Sequence, residues 1–309
     1  LDAEIFAPDT GWYGDGSATE FYIGTVDELE GLDQLVTGGT TFAGKTIYLT
    51  ADINLQGTSF APIGTKDTNF NGTFNGQNHT ISNLNRTLGS SGSHAGLFAR
   101  IGASGAANRA HFLNLNLTGF YLKAFNYVGG LAGESVNALI DNVNVADSEF
   151  YGEQYVGGLI GYLKATDIKN SSATSITIDH ANYSWFLNPH YGHKMGGLGG
   201  YVNSGTLAAP IIFDNNTATN VSVSGARECG GLFGLVGAHV WVTNSTVTGS
   251  YIEARMPSEL ENRKPWAGGL VGWANGNYSL YAGPEVSNNT VITPMPECQG
   301  DIVGGPLSN

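Results

Sequence analysis

Cysteine is almost missing from this chain. Its 309 residues include two, Cys229 and Cys298, which excludes a small disulfide-stapled scaffold and suits bacterial export. Basic residues are scarce as well. The 13 Lys and Arg face 26 Asp and Glu, for a formal net charge of −13. So little positive charge argues against nucleic acid and anionic membrane surfaces as partners, and weakly against polyanionic glycans. No apolar run is long enough for a membrane span and no signal-peptide pattern is present. The sequence is therefore expected to be a mature or excised portion of an exported, extracellular precursor whose flanking domains lie elsewhere. The zinc-peptidase pattern His-Glu-x-x-His is absent. No linker or shift in composition interrupts the chain, so a single elongated domain over 1–309 is expected.

Glycine is abundant, with 45 copies, and many fall in one recurring phrase. It reads Ala95-Gly96-Leu97-Phe98, Gly129-Gly130-Leu131-Ala132, Gly157-Gly158-Leu159-Ile160, Gly196-Gly197-Leu198-Gly199, Gly230-Gly231-Leu232-Phe233 and Gly268-Gly269-Leu270-Val271, with a degraded copy at Gly304-Gly305-Pro306-Leu307. From Gly96 through Gly130, Gly158, Gly197, Gly231, Gly269 and Gly305 the steps are 34, 28, 39, 34, 38 and 36 residues. Repetition at this period signals a solenoid. Between the glycines runs a second phrase, an apolar residue two places before an asparagine: Ile81/Asn83, Ile140/Asn142, Ile168/Asn170, Phe213/Asn215 and Val242/Asn244, with Leu113-Asn114 as a shortened copy. Small and β-branched residues follow with period two, which is strand chemistry. The shortest repeat, 28 residues, accommodates one coil of two or three short strands.

These patterns predict an all-β, right-handed parallel β-helix. Leu97, Leu131, Leu159, Leu198, Leu232 and Leu270 form one inward column, and the asparagines form a second whose amides bond from coil to coil. Cys229 stands where other copies carry Val128, Val156 or Met195 and reads as a small buried hydrophobe. A bridge to Cys298 would have to span about two coils.

The glycine phrase resembles the GLUG motif, a bacterial surface repeat found in large secreted or wall-anchored proteins, including regions beside IgA1-specific metallopeptidases. The stretches Phe42–Leu55 and Phe70–Leu84 are similar to the entry sequence that often precedes such repeats. The resemblance implies a β-solenoid in a cell-surface setting, with no catalytic residues and no cofactor.

Residues 1–55 read as an N-terminal cap with the first strands, and 56–309 as the coils. Thr25 is an N-cap with Glu28 three residues on; Leu29, Leu32, Leu35 and Val36 share a face, and Gly38 ends the helix. Such a helix covers the open end of a solenoid.

Departures from the repeat point to function. From each asparagine to the next repeat glycine the common gap is 16 residues, but it is 27 after Asn170 and 25 after Asn244. Two loops, at about 179–193 and 253–266, therefore leave one edge on either side of an uninserted coil, either walling a groove with Val221–Glu228 as its floor or folding against each other and closing it. The first packs Tyr183, Trp185, Phe186, His190, Tyr191 and His193 together; the second ends at Trp266, and a further loop carries Tyr278 and Tyr281. Rings alternating with polar groups suit a glycan, but the same rings can form a small core that pins a long loop. His190-x-x-His193 without a nearby carboxylate does not define a metal site. Glu134, Asp141, Asp147, Glu149 and Glu153 fall on adjacent coils with no standout pair of the kind a glycosidase uses. The expected role is an adhesin-like binding region for an extracellular glycan or host surface protein; a polysaccharide hydrolase or lyase and a passive stalk are the alternatives.

Overall fold

A computed structural model of the chain describes residues 7–180, 193–254, 266–274, 285–287 and 290–292. Within them the chain is a stack of parallel coils. One 19-stranded sheet (sheet A) and two six-stranded sheets (B and C) run along it. The ladders are parallel from the first coil to the last, and a lone antiparallel bridge, Thr206–Ala209, lies in a loop.

One coil shows how sequence makes shape. The strand Ala138–Tyr151 belongs to sheet A, Gln154–Gly157 to sheet C and Ile160–Lys164 to sheet B. The 14-residue strand is bent twice, at Asn142 (φ 53°) and Asp147 (φ 47°). At each bend the in–out alternation slips by one: Ile140 and Val143 are buried on either side of Asp141-Asn142, and Val145 and Ser148 on either side of Ala146-Asp147. A left-handed residue turns the strand and resets the period-two pattern, so apolar side chains stay inside around the corner.

The repeat leucines Leu97, Leu131, Leu159, Leu198, Leu232 and Leu270 are fully buried. They sit in the turn from C to B, and main-chain bonds continue the ladder through them, Leu131 N donating to Leu159 O and Leu159 N to Leu198 O. Sheets B and C approach backbone to backbone at this turn: a Cβ on Gly161 would lie 2.5 Å from Tyr155 O and 2.7 Å from Gly133 O, so glycine alone fits there. Gly96, Gly130, Gly158, Gly197, Gly231 and Gly269 hold the turn itself. Cys229 is fully buried, in register between Met195 and Ala267, and burial raises its thiol pKa well above the ordinary value. Cys298 lies outside the described residues.

The asparagine column is present with one correction. Asn142 Nδ2 donates to Asn114 Oδ1 at 2.9 Å, Asn170 Nδ2 to Asp141 Oδ1 at 2.8 Å, Asn215 Nδ2 to Asn170 Oδ1 at 2.8 Å, and Asn244 Nδ2 to Asp214 Oδ1 at 2.7 Å. Asn83 belongs to the other corner. Ser82 pairs with Thr118 and Thr118 with Ala146, which places Asn83 (φ 60°) over Gly119 and Asp147. The phrase is the same because both corners need a residue that tolerates the left-handed region.

The helix Val26–Thr37 forms as its sequence dictates. Thr25 Oγ1 accepts from Glu28 N, and the Glu28 carboxylate accepts from Thr25 N, closing a capping box. Leu29, Leu32 and Val36 are buried, and Asp33 accepts from Gly64 N at 2.8 Å. Trp12 and Tyr13 add rings against Phe21 and Phe42 at the same end.

Candidate binding edge

The two long insertions leave the stack at one corner, between the last segment of sheet A and sheet C. Asp179 pairs with Ser224 and Ser224 with Glu253, so the chain exits at the same rung in three successive coils. It re-enters at Lys194, Glu228 and Trp266, again one column. The loop bases Asp179/Lys194 and Glu253/Trp266 lie on either side of the coil through Ser224 and Glu228, about 10 Å apart. Tyr183, Trp185, Phe186, His190, Tyr191, Tyr278 and Tyr281 lie outside the described residues. His193 and Trp266, at the loop bases, are described.

His193 is buried and its Nδ1 has no hydrogen-bond partner. Burial, reinforced by the charges of His180, Lys194 and Arg227, lowers its pKa to about 4. Beside it stands a charged cluster around a buried carboxylate: Glu228 is 3 % exposed, with the partly exposed Arg227 Nη2 at 3.1 Å and Lys194 Nζ at 3.9 Å. Burial pulls the Lys194 pKa down, opposed by Glu228. Such a cluster survives burial because its charges are paired.

Trp266 packs edge-on against Trp273, centroids 4.8 Å apart. This pair belongs to a feature the sequence reading passed over. Outward side chains of sheet C form the column His94, Tyr127, Tyr155, Lys194, Glu228, Trp266. Those of sheet B form Arg100, Glu134, Tyr162, Tyr201, Leu235, Trp273. Because the backbones of B and C nearly touch, the two columns interleave into one ladder. His94 stacks on Tyr127 at 4.5 Å, Tyr127 meets Tyr155 at 5.1 Å, Tyr155 stacks on Tyr201 at 5.6 Å, and Tyr162 meets Tyr201 edge-on at 5.3 Å. Burial raises the pKa of Tyr127, Tyr162 and Tyr201, and that of Tyr155 to about 12. All four are therefore neutral phenols near pH 7. At one end Glu134 takes Arg100 Nε at 3.6 Å and His94 Nε2 at 3.4 Å. Burial pushes its pKa up, but these partners and Lys164 outweigh that and hold it below the usual carboxylate range. Apart from His94, which directly precedes Ala95-Gly96-Leu97, the ladder residues occupy fixed places in the repeat, two before Gly-Gly-Leu and three after its leucine, so the signal was in the sequence beside the repeated phrase.

The carboxylates do not converge. Glu134 is on sheet B, Asp141 and Glu149 on separate segments of sheet A, Asp147 at the corner between them, and Glu153 is buried at the start of the turn into sheet C. Asp141 accepts from Asn170 and Glu149 from the Tyr151 hydroxyl. Among the described residues no three His, Cys, Asp or Glu side chains are grouped to hold a metal ion.

Residues 152–179, which make up most of one coil, match the family model described as the GLUG motif. Over 164 residues the chain is 30% identical to halomucin of Haloquadratum walsbyi, a match covering 49% of this chain and 2% of halomucin. The chain thus spans a very small part of that relative. A crystal structure from Bacteroides ovatus, described as a candidate immunoglobulin A1 protease, superposes with a TM-score of 0.52 at 16% identity, over 88% of this chain and 84% of that one. At that identity the likeness is one of fold. The chain thus carries a GLUG motif at residues 152–179.

Proposed function

We propose that this chain is part of an exported, surface-displayed repeat protein that binds an extended glycan along its aromatic ladder. The coils wind right-handed in this proposal, and the helix Val26–Thr37 covers their N-terminal end. The supporting observation is the in-register run Tyr127, Tyr155, Tyr162, Tyr201 with Lys194 against it. Half-buried rings lose little conformational entropy on binding, offer apolar edges, and carry a row of neutral hydroxyls. The row advances about 4.8 Å per coil, comparable with one pyranose unit, so a linear polysaccharide can make the same contact on successive coils. Lys194 and Trp266, where the two insertions rejoin the stack, stand in the same outward column as Tyr155. The likeness to a protein named halomucin and to a structure described as a candidate immunoglobulin A1 protease supports the surface or secreted setting.

A passive stalk is the second reading, favoured by one observation: Tyr155 and Tyr201 stack on each other and so cover part of their own faces. A glycan array followed by a reducing-sugar assay on the hits separates the outcomes. Binding without release of reducing ends supports the proposal; release of reducing ends shows a glycan-active enzyme; no binding to any glycan leaves the stalk. Tyr155→Ala should remove array binding while the chain stays folded.

A further inference from the structure

Sheet A carries a second set of polar groups, away from the ladder and close to where sheet B hands over to it. A cavity of about 370 Å³ opens there, lined among others by Thr46, Asn71, Thr73, Asn108, Arg109 and His111. Its size lies within the range of small-molecule sites. Thr46, Thr73 and His111 are consecutive rungs of one outward column. Asn71 is 7% exposed, and its side-chain carbonyl oxygen has no hydrogen-bond partner. Arg109 Nε is likewise buried and without a hydrogen-bond partner. Asn71 and Arg109 thus each bring to the cavity lining a buried polar atom with no partner in the chain, and such a group costs about 1–3 kcal/mol.

Charge balance narrows the occupant. Arg109 Nη1 donates to Asp167 Oδ2 at 2.6 Å, and Nη2 donates to the carbonyls of Ala138 and Ala165. Its charge is therefore already matched. Burial, with the charge of Arg109, keeps the His111 pKa below the ordinary histidine value, so the imidazole is neutral and offers one donor and one acceptor. An anion would meet the Asn71 carbonyl oxygen and a guanidinium neutralised by Asp167. A cation would meet Arg109. A neutral molecule bearing several hydroxyls satisfies both kinds of group, since each hydroxyl donates and accepts.

We propose that this cavity binds a neutral polyhydroxy ligand, a single sugar unit, independently of the aromatic ladder. The test is saturation-transfer NMR on the full chain with the methyl glycosides of glucose, galactose, mannose and N-acetylglucosamine, and with inorganic phosphate as an anion probe by calorimetry. At least one glycoside is expected to saturate with a Kd of about 1 mM. Thr73→Val keeps the shape and removes a hydroxyl; His111→Gln keeps a neutral amide in place of the ring. Each should weaken that binding about tenfold, with the folded state checked by circular dichroism, whereas Tyr155→Ala should leave it unchanged. The proposal is overturned if no glycoside saturates, if phosphate binds instead, or if both cavity variants bind like the parent chain. Loss of binding in Tyr155→Ala alone would assign the sugar to the ladder and also overturn it.

Discussion

The rings of Tyr155 and Tyr201 stack 5.6 Å apart at an interplanar angle of 23°, although one comes from sheet C and the other from sheet B of the next coil. Lys194, the residue in register with Tyr155, places its ammonium 5.6 Å from one centroid and 5.7 Å from the other. Three residues from two coils thus form one unit, which ties neighbouring repeats together outside the core. A partly desolvated cation over a ring contributes about 1 kcal/mol, and an aromatic pair about as much. Tyr201→Ala and Lys194→Gln should each lower stability by about 1–2 kcal/mol, and the double variant by less than their sum. Urea midpoints of the four proteins check this; strict additivity would show that the stacked geometry carries no coupling.

His193 sets an acid limit. Its pKa is about 4 in the folded chain against an ordinary value of 6.5. Between these values the unfolded chain binds a proton that the native one does not, so stability falls as pH drops from about 6.5 to 4. Above 6.5 both states hold the ring neutral and the contribution is flat. The loss over the window is about 3 kcal/mol at most. In His193→Gln no such proton is taken up, so the fall in urea midpoint between pH 7 and pH 4.5 should be smaller than in the parent chain. Equal slopes in the two proteins would place the acid sensitivity in other groups.

The fold was largely legible because its determinants are local and repeated. Gly158-Leu159 and its copies announce a tight turn and an inward column in any one repeat, and Asn142 announces a left-handed corner. Asn83 misled because either corner accepts the same residue, and only the pairing of Ser82 with Thr118 tells them apart. The ladder was missed for a physical reason. Tyr155 and Tyr162 read separately as ordinary outward strand residues, and only the backbone contact at Gly161 brings their rings within 5.7 Å. The clip from Arg109 to Asp167, 58 residues away, needs the stacking register before it can be seen.

Leu159 tests the continuous core. Its side chain is fully buried, and its main chain bonds to Leu131 in the coil before and Leu198 in the coil after. Leu159→Asp buries a carboxylate with no cation in the column, which costs more than about 4 kcal/mol. No cooperative thermal transition is expected for that variant, whereas Leu159→Met, of similar volume, should lose less than about 1.5 kcal/mol. A soluble, cooperatively melting Leu159→Asp would show that the leucine column does not hold the stack together.

Asn142 separates backbone from side-chain effects at a corner. It holds φ at 53°, and its amide donates to Asn114 Oδ1 at 2.9 Å while its Oδ1 accepts from Asn144 Nδ2 at 3.4 Å. Ala loses both bonds and also resists the left-handed region, at about 1 kcal/mol for the backbone alone. Gly loses the same bonds but adopts that backbone freely. Asn142→Ala should therefore destabilise by about 2 kcal/mol and Asn142→Gly by about 1, the difference being the conformational cost. Chemical denaturation of the two variants beside the parent measures it. If Gly is as damaging as Ala, the amide ladder alone fixes the corner and the left-handed bend follows from it; if Gly is neutral, the bend is the whole role and the coil-to-coil amides add nothing net.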